Sequence, residues 1–430
     1  MRTAIVLRAG LVVLLGFCAS DPSAAQGERD GSALTLFEHL IDPESDVDLE
    51  TLLDDIDVLR DHPLCLDAAS LDDIAALPFL DGGAAAAVYA ALQQETPTWP
   101  DIATELVHEE TRYALLRACS VLQCDAVPSS SVRLSLRSRF QQEDRPRRGF
   151  LDGSYPGSRA RLLQRIRLGI GPHLSAALLV EKDPGERLLT DHYAGYVSVE
   201  DVGVMRRLVL GDVSVTAGQG LVFWQSFAMA KSSQATSVMR NSALLRPKAS
   251  STEGGLPRGL GLQLDLAPVD LVLLLSSAAR DASVDESDGT AGSFSADGLH
   301  RTDSEAQRAG RVQEQLAGLH LRFRDLDAGL QAGMSMLSAR YSLSSRSRSP
   351  FAFEGDRAWT GGLDVRWGRE GYALYAEGAY AHTRAGALLA GAELRPTPLA
   401  RISLLYRRYD AQFVNLQGGG FGERSGSTQN

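Results

Sequence analysis

Residues 132–140 read VRLSLRSRF, a stretch in which apolar and polar side chains alternate. On an extended chain the apolar residues share one face and the arginines the other: Val132, Leu134, Leu136 and Phe140 against Arg133, Arg137 and Arg139. A period of two residues predicts a half-buried antiparallel strand. The same alternation recurs in GLGLQLDL (259–266), LHLRFR (319–324) and LDVRW (363–367), so the chain from residue 129 onward is predicted to be antiparallel β-sheet.

The connections between these segments alternate between short turns and long polar loops. The long loops are predicted at residues 141–158, 217–256, 280–310 and 342–357. About 13 strands of about 9 to 12 residues result, which is typical of an outer-membrane β-barrel. A closed barrel leaves no strand edge unpaired in lipid. The alternative is a soluble secreted sandwich or propeller, although sandwich strands are usually shorter.

The end of the chain does not fit a finished barrel. The last predicted strand, ARISLLYRRY (400–409), is followed by GGGFGERSGSTQN (418–430), which holds no returning strand. Bacterial single-chain barrels have an even number of strands, and 13 is odd. We therefore expect the barrel to be incomplete at its C-terminal end.

The chain begins with an export signal. Arg2 and Arg8 precede an apolar run, and Ser23, Ala24 and Ala25 offer small residues for cleavage. Residues 1–25 are therefore predicted to be a secretory signal peptide, with lipidation at Cys18 as the alternative. Beyond residue 26 no apolar run approaches the roughly 18 residues of a membrane-spanning helix.

Residues 26–128 differ in charge and periodicity from the rest. They hold 22 Asp or Glu, 4 Arg and no Lys, whereas residues 129–430 hold 31 acids and 37 bases. Apolar residues three and four apart, as in DLETLLDDIDVLRDH (48–62), predict helices. The sequence thus predicts an α+β protein in which an acidic all-α domain (26–128) precedes an antiparallel β-barrel domain (129–430).

One segment of the acidic region reads as two helices joined by a tight hairpin. It is LDDIAALPFLDGGAAAAVYAAL (71–92), and residues 101–122 resemble a second copy. The predicted hairpin consists of Leu77, Pro78, Phe79, Leu80, Asp81 and Gly82.

Three cysteines remain after the signal: Cys65, Cys119 and Cys124. Export to an oxidising compartment favours a disulfide. Because Cys119 and Cys124 would not meet on an intact helix, we predict one disulfide between Cys65 and either of them.

Two stretches resemble known families. DHPLCLDAASLDDIAALPFLD (61–81) resembles helix-hairpin-helix domains, in particular those of exported, competence-type DNA receptors. Residues 208–234 and 246–264 resemble a family of Gram-negative outer-membrane proteins that join a helix-hairpin-helix domain to a β-barrel, and that has no established function. The residues that carry this second resemblance are Gly211, Asp212, Gly218, Gln219, Gly220, Trp224, Lys231, Glu253, Arg258 and Gly259. The resemblance also implies a longer chain.

The hairpin argues against its usual ligand, nucleic acid. DNA-binding hairpins place two glycines where Phe79 and Asp81 stand, so that backbone N–H groups can approach a phosphate. The acidic domain, at a net charge of −18, repels a polyanion. We expect the partners to be outer-membrane lipid and another periplasmic or envelope protein. A DNA-uptake component stays as the alternative.

Enzymatic chemistry finds no support in the sequence. Ser, His and Asp form no recognisable triad, and Gly218 and Gly220 lack the helix and lysine of a phosphate-binding loop. Five histidines show no metal-ligand spacing: His173, His192, His300, His320 and His382. We therefore predict no enzyme, no cofactor and no metal. A secreted hydrolase is a third reading. The predicted location is the outer membrane, with the acidic domain in the periplasm.

Overall fold

The structure is a computed structural model of the 430-residue chain. It describes residues 59, 63–67, 69, 71–75, 77, 79–80, 82–106, 110–123, 131–225, 238–251, 256–295, 298–325, 328–346, 352–369, 371–397 and 400–420. The predicted signal peptide, Cys124, Lys231 and Glu253 lie outside these residues. Among the described residues, no helix is both long enough and apolar enough to cross a membrane.

Four helices form the described part of the acidic region. They are α1 (Leu71–Ala75), α2 (Gly82–Leu92), α3 (Trp99–Glu105) and α4 (Glu110–Cys119). Apolar residues of these helices and of the connection between α1 and α2 close a small core of fully buried side chains, which includes Ile74, Phe79, Val88, Ile102 and Leu115. Thr98 and Asp101 form a capping box at the start of α3, which fixes where that helix begins.

The expectation of an all-α N-terminal region needs a correction. Strand β1 (Leu64–Cys65) pairs in parallel with β2 (Ser120–Val121), directly after α4. The pair joins the two ends of the helical unit, and Leu66 N–H extends it by donating to Val121 O at 2.9 Å. Apolar periodicity cannot reveal a bridge of two residues per strand between segments 55 residues apart in sequence.

Thirteen strands of the described residues after 131 form one antiparallel meander. In spatial order it runs β18-β17-β16-β15-β14-β13-β10-β9-β7-β6-β5-β4-β3. The strands are β3 (Val132–Gln142), β4 (Ala160–Ile170), β5 (Leu174–Lys182), β6 (His192–Val202), β7 (Met205–Thr216), β9 (Arg258–Leu266), β10 (Val269–Arg280), β13 (Val312–Asp325), β14 (Leu330–Ser345), β15 (Gly355–Arg369), β16 (Tyr372–Ala381), β17 (Gly386–Thr397) and β18 (Ala400–Tyr409). We call this sheet the wall.

Shorter elements lie in the loops. Strand β8 (Leu244–Pro247) pairs with β7, and β11 (Ala282–Asp285) forms a hairpin with β12 (Thr290–Phe294). Two single-turn helices are α5 (Arg148–Leu151) and α6 (Asp303–Ala306).

The predicted antiparallel strands are confirmed, and long connections follow β3, β7, β10 and β14 as predicted, whereas the one after β5 was not predicted. The four stretches singled out in the sequence lie within β3, β9, β13 and β15. Long connections follow β3, β5, β7, β10 and β14 at one end of the wall, and short turns join the strands at the other. We call these the long-loop end and the short-turn end.

The predicted barrel is open in the described residues, and one expectation about its burial is wrong. Strand β3 pairs only with β4, and β18 only with β17. Strand β3 is also not half-buried: every one of its residues is exposed, with Leu134 at 72%. Periodicity assigns faces to a strand, but burial depends on neighbours, and an edge strand has one neighbour fewer.

The wall has two faces of opposite character. On β14, exposed and buried residues alternate without a break from Gly333 to Ser342. Met334 and Met336 are exposed on the outer face, while Leu337 and Tyr341 are 3% exposed on the inner face. The inner face also buries charged pairs, such as Arg322 with Asp270 at 2.7 Å.

Candidate functional site

Strand β7 does not stay in the wall along its whole length. Through Asp212 it pairs with β9, and through Gly211 with β6 on the other side. From Val213 to Thr216 it pairs instead with β8, and all four of these residues are buried. The chain therefore leaves the wall at Gly211 and Asp212 and enters the interior.

Gly211 makes this departure sterically possible. Its φ of +118° is one that residues with a side chain rarely adopt. A Cβ at this position would lie 2.2 Å from Gly195 O on the neighbouring strand. Gly259 stands opposite Gly211 in the register, and a Cβ there would lie 2.2 Å from Leu275 O. Both motif glycines thus permit a close approach of backbones.

Asp212 replaces the hydrogen bonds that the departing strand gives up. Its Oδ2 accepts from Gly195 N–H of β6 at 2.7 Å, where backbone pairing with β7 has ended. Arg258 Nε and Nη2 donate to the two carboxylate oxygens at 2.7 and 3.1 Å. The Arg258 guanidinium also lies over the Tyr193 ring, 4.5 Å from its centroid. Side-chain bonds from one carboxylate therefore join β6 to β9 across the departing strand.

The GQGL motif forms a turn inside the wall. Gly218 and Gly220 have φ of +54° and +93°. The N–H groups of Gln219, Leu221 and Val222 donate to the carboxylate of Glu377 at 2.5, 3.1 and 3.3 Å. Glu377 belongs to β16 and is 2% exposed. The motif therefore places three backbone donors around one buried carboxylate of a distant wall strand.

Two further segments complete the interior. Gln219 exchanges two hydrogen bonds with the backbone of Arg240, whose guanidinium stacks 4.7 Å from the Trp224 ring centroid. Asn415 Nδ2 donates to Leu221 O and Val222 O at 2.7 and 2.9 Å. We call residues 213–225 and 238–250 the insert. Together with residues 413–417 it packs against inward residues of the wall such as Leu274 and Leu389.

The motif residues therefore serve one structural purpose, which the sequence did not reveal. Gly211, Asp212, Arg258 and Gly259 let β7 leave the wall, and Gly218, Gln219, Gly220 and Trp224 seat it inside. Arg258 binds Asp212 and lies against Tyr193, which is 56% exposed. The departure of β7 leaves a gap between β6 and β10 at the long-loop end of the wall. In the described residues no strand pairs with His192–Gly195 or with Ser277–Arg280 on the sides that face this gap.

A second cluster lies at the long-loop end of this gap. His300 Nδ1 is 2.6 Å from Asp191 Oδ2, and His300 Nε2 is 2.8 Å from Asp281 Oδ2. Asp191 precedes β6 and Asp281 follows β10, so one imidazole bridges the two strands that the gap separates. The hydrogen bonds to Asp191 and then Asp281 raise the pKa of His300 to about 10.

Glu186 completes the cluster and is 1% exposed. Its Oε2 accepts from Asp183 N–H at 2.7 Å and its Oε1 from His300 N–H at 3.2 Å. Burial raises the pKa of this carboxyl. Sequence reasoning missed the cluster because Glu186 and His300 come from different loops, 114 residues apart, and the members carry no spacing pattern.

The hairpin residues belong to the core of the helical unit. Leu77, Phe79 and Leu80 are buried, with Phe79 at 0% exposed, and Gly82 begins α2. Pro78 and Asp81 lie outside the described residues. Phe79 thus fills the core at a position where DNA-binding hairpins have glycine.

The helical unit contacts the short-turn end of the wall. Arg206, beside the β6–β7 turn, binds Asp73 of α1 at 3.1 Å. Arg395, near the end of β17, donates to Glu105 O at 3.2 Å.

The structure places Cys65 in a disulfide, whose partner lies outside the described residues. Cys119 is a buried thiol. Pairing of Cys65 with Cys119 is therefore wrong, and Cys124 stays the predicted partner.

No protein-family model matches the chain, and no curated protein matches it. Several solved structures are distantly similar to it. A loop L8 deletion of OmpT, an outer membrane protein of Vibrio cholerae, is 11% identical, with 66% of this chain and 94% of that chain covered and a TM-score of 0.27. OmpF of Salmonella typhi in complex with daunomycin is 8% identical over 65% and 90%, with a TM-score of 0.26. OccK3 of Pseudomonas aeruginosa is 10% identical over 63% and 75%, also with a TM-score of 0.26. At such scores the likeness carries no argument for this chain.

Proposed function

We propose that this chain is an outer-membrane protein whose wall lies in lipid, whose interior is closed by its own insert, and which binds another envelope protein. In this reading it is neither an enzyme nor an open channel. The observation that carries the proposal is the exposed apolar surface of the wall. Leu363 on β15 exposes 65% of its surface, and Leu404 and Leu134 on the two edge strands β18 and β3 expose 59% and 72%. Large apolar patches on a protein surface mark contact with lipid or a partner.

The arrangement of connections supports an orientation. Outer-membrane barrels have short turns on the periplasmic side and long loops outside. The helical unit contacts the short-turn end through Arg206 and Arg395. We therefore propose that the helical unit is periplasmic and, from its resemblance, a helix-hairpin-helix domain.

Because the insert fills the interior, binding of a partner is favoured over diffusion of solutes through the protein. The insert contributes apolar residues such as Val222 and Phe223 to the core, each 1% exposed or less. A periplasmic domain with a net charge of −18 over residues 26–128 offers an acidic surface to a basic partner.

DNA binding is the competing function and is not favoured by any contact described above. Full-length protein in detergent should fail to bind a fluorescent DNA duplex in an anisotropy titration at low and moderate salt. Micromolar binding that weakens steeply with salt would replace a protein partner by nucleic acid.

A charge placed on the outer face tests the membrane reading directly. Leu363→Arg, in the middle of β15, should cost about 2 to 4 kcal/mol of membrane insertion and deplete the protein from the outer-membrane fraction. Leu188→Arg is the matched control, because Leu188 is 63% exposed but lies in the loop between β5 and β6.

In a soluble protein both changes would be harmless, since both leucines are exposed. Equal behaviour of the two variants, with wild-type protein recovered from the soluble periplasm, would reject the membrane location.

A further inference from the structure

We propose that Glu186, Asp191 and His300 form a site for a divalent transition-metal ion such as Zn²⁺, which joins the β5–β6 loop to the β10–β13 loop across the gap in the wall. The inference does not depend on the proposed function. One ligand atom from each of the three residues lies within 4.8 Å of the other two. Zn²⁺ is bound by imidazole nitrogen and by Asp or Glu oxygen, so the set offers suitable donors.

The orientation of His300 is that of a metal ligand. Its Nδ1 faces Asp191 at 2.6 Å, while its Nε2 faces Asp281 at 2.8 Å. Metal-binding histidines almost always give their other ring N–H to a carboxylate or carbonyl group, which fixes the tautomer and the ring plane. Asp281 is therefore assigned as a positioning residue, and Gly310 N–H in turn donates to its Oδ1 at 2.8 Å.

Glu186 is also held in place before any ion arrives. Two backbone N–H groups, from Asp183 and His300, bind its two carboxylate oxygens. A ligand fixed in this way loses little conformational entropy on binding an ion. The 2.6 Å between His300 Nδ1 and Asp191 Oδ2 is too short to hold an ion between them, so binding requires these atoms to move apart.

The charges around the site favour a cation. Glu186, Asp191 and Asp281 bring three carboxylates to one imidazole. Lys182 interacts electrostatically with Glu186 and Asp191, but its ammonium group donates to Ala160 O and Asp183 O at 3.1 and 2.9 Å and to neither carboxylate. Arg301 and Arg280 are committed to Glu305 and Glu314. A divalent ion would offset the excess negative charge more fully than one proton on His300.

The test is a calorimetric titration of Zn²⁺ into folded, full-length, tag-free protein that has first been treated with a chelator. Wild type should bind one Zn²⁺ per chain. His300→Gln and Asp191→Asn should weaken binding at least about 100-fold, and Asp281→Asn about 10- to 100-fold, in line with losses at other positioning residues.

His173→Gln is the matched control, because His173 lies in the turn between β4 and β5 at the opposite end of the wall. Its affinity should equal that of the wild type. X-ray absorption of the wild-type complex should show one imidazole nitrogen at about 2.0 to 2.1 Å together with oxygen ligands. This measurement needs no variant, so it decides the question even if a variant fails to fold.

Absence of saturable one-to-one binding in folded wild type would overturn the proposal. So would equal affinities of His300→Gln and His173→Gln, or an absorption spectrum without an imidazole ligand.

Discussion

Arg258, the first residue of β9, donates to both carboxylate oxygens of Asp212, the residue at which β7 turns out of the wall. The same carboxylate accepts from Gly195 N–H of β6. The Asp212 side chain thus links β6 to β9 at the level where β7 no longer lies between them.

Asp212→Ala should lower the free energy of unfolding by about 2 to 3 kcal/mol, because Gly195 N–H and the Arg258 guanidinium lose a charged acceptor. Urea unfolding in lipid vesicles, followed by tryptophan fluorescence, measures the change. Asp265→Ala is the control: its pair with Arg324 is half exposed, and Arg324 keeps Asp270, so the cost should stay below about 1 kcal/mol. Similar losses of unfolding free energy in the two variants would show that the bonds of Asp212 stabilise the protein no more than an exposed ion pair does.

Gly211→Ala should destabilise the protein more than the same change at a wall glycine with room for a Cβ. The new Cβ meets Gly195 O, and φ is +118°, so we expect a loss of at least about 3 kcal/mol or a failure to fold. Gly378→Ala is the control, because the nearest atom to a Cβ there is Leu388 Cδ1 at 3.9 Å. Yield of folded protein and urea midpoints compare the two. A Gly211→Ala protein as stable as Gly378→Ala would contradict the described bend.

Glu377→Ala should release the insert. It removes the acceptor of three backbone N–H groups and leaves them buried without it, at a cost of about 1 to 3 kcal/mol for each unsatisfied group. In planar lipid bilayers we expect no steady ion current through wild type and measurable current through the variant. Ser335→Ala, whose hydroxyl bonds His320 within the wall, should stay silent. A steady current through the wild type would instead mean that the insert does not close the interior.

The mature, oxidised protein should show one reactive thiol per chain when it is unfolded without reductant. That thiol is Cys119, because Cys65 is disulfide-bonded and Cys124 is its predicted partner. Cys65→Ser and Cys124→Ser should each destabilise the helical unit by roughly 3 to 4 kcal/mol in the chain-entropy model. A count of three thiols would show that the disulfide does not form.

The strands could be predicted from the sequence because each wall strand keeps a period of two, as in LHLRFR within β13. The departure of β7 could not, because VSVT continues the same period after Gly211 and Asp212 have turned the chain. The motif resemblance marked the right residues there but gave no geometry. The His300 cluster was missed for another reason: loops distant in sequence meet only because of the gap that β7 leaves.

The insert also sets an order of assembly. Gln219 binds Glu377 over a separation of 158 residues, and Leu221 binds Asn415 over 194. Contacts that close such long loops form late, because the chain must lose the entropy of loop closure before these contacts can stabilise it. The wall strands on both sides of the insert must therefore be in place before it can lock. Until then its apolar residues have no partner within the chain, and they stay exposed to contacts with other unfolded chains.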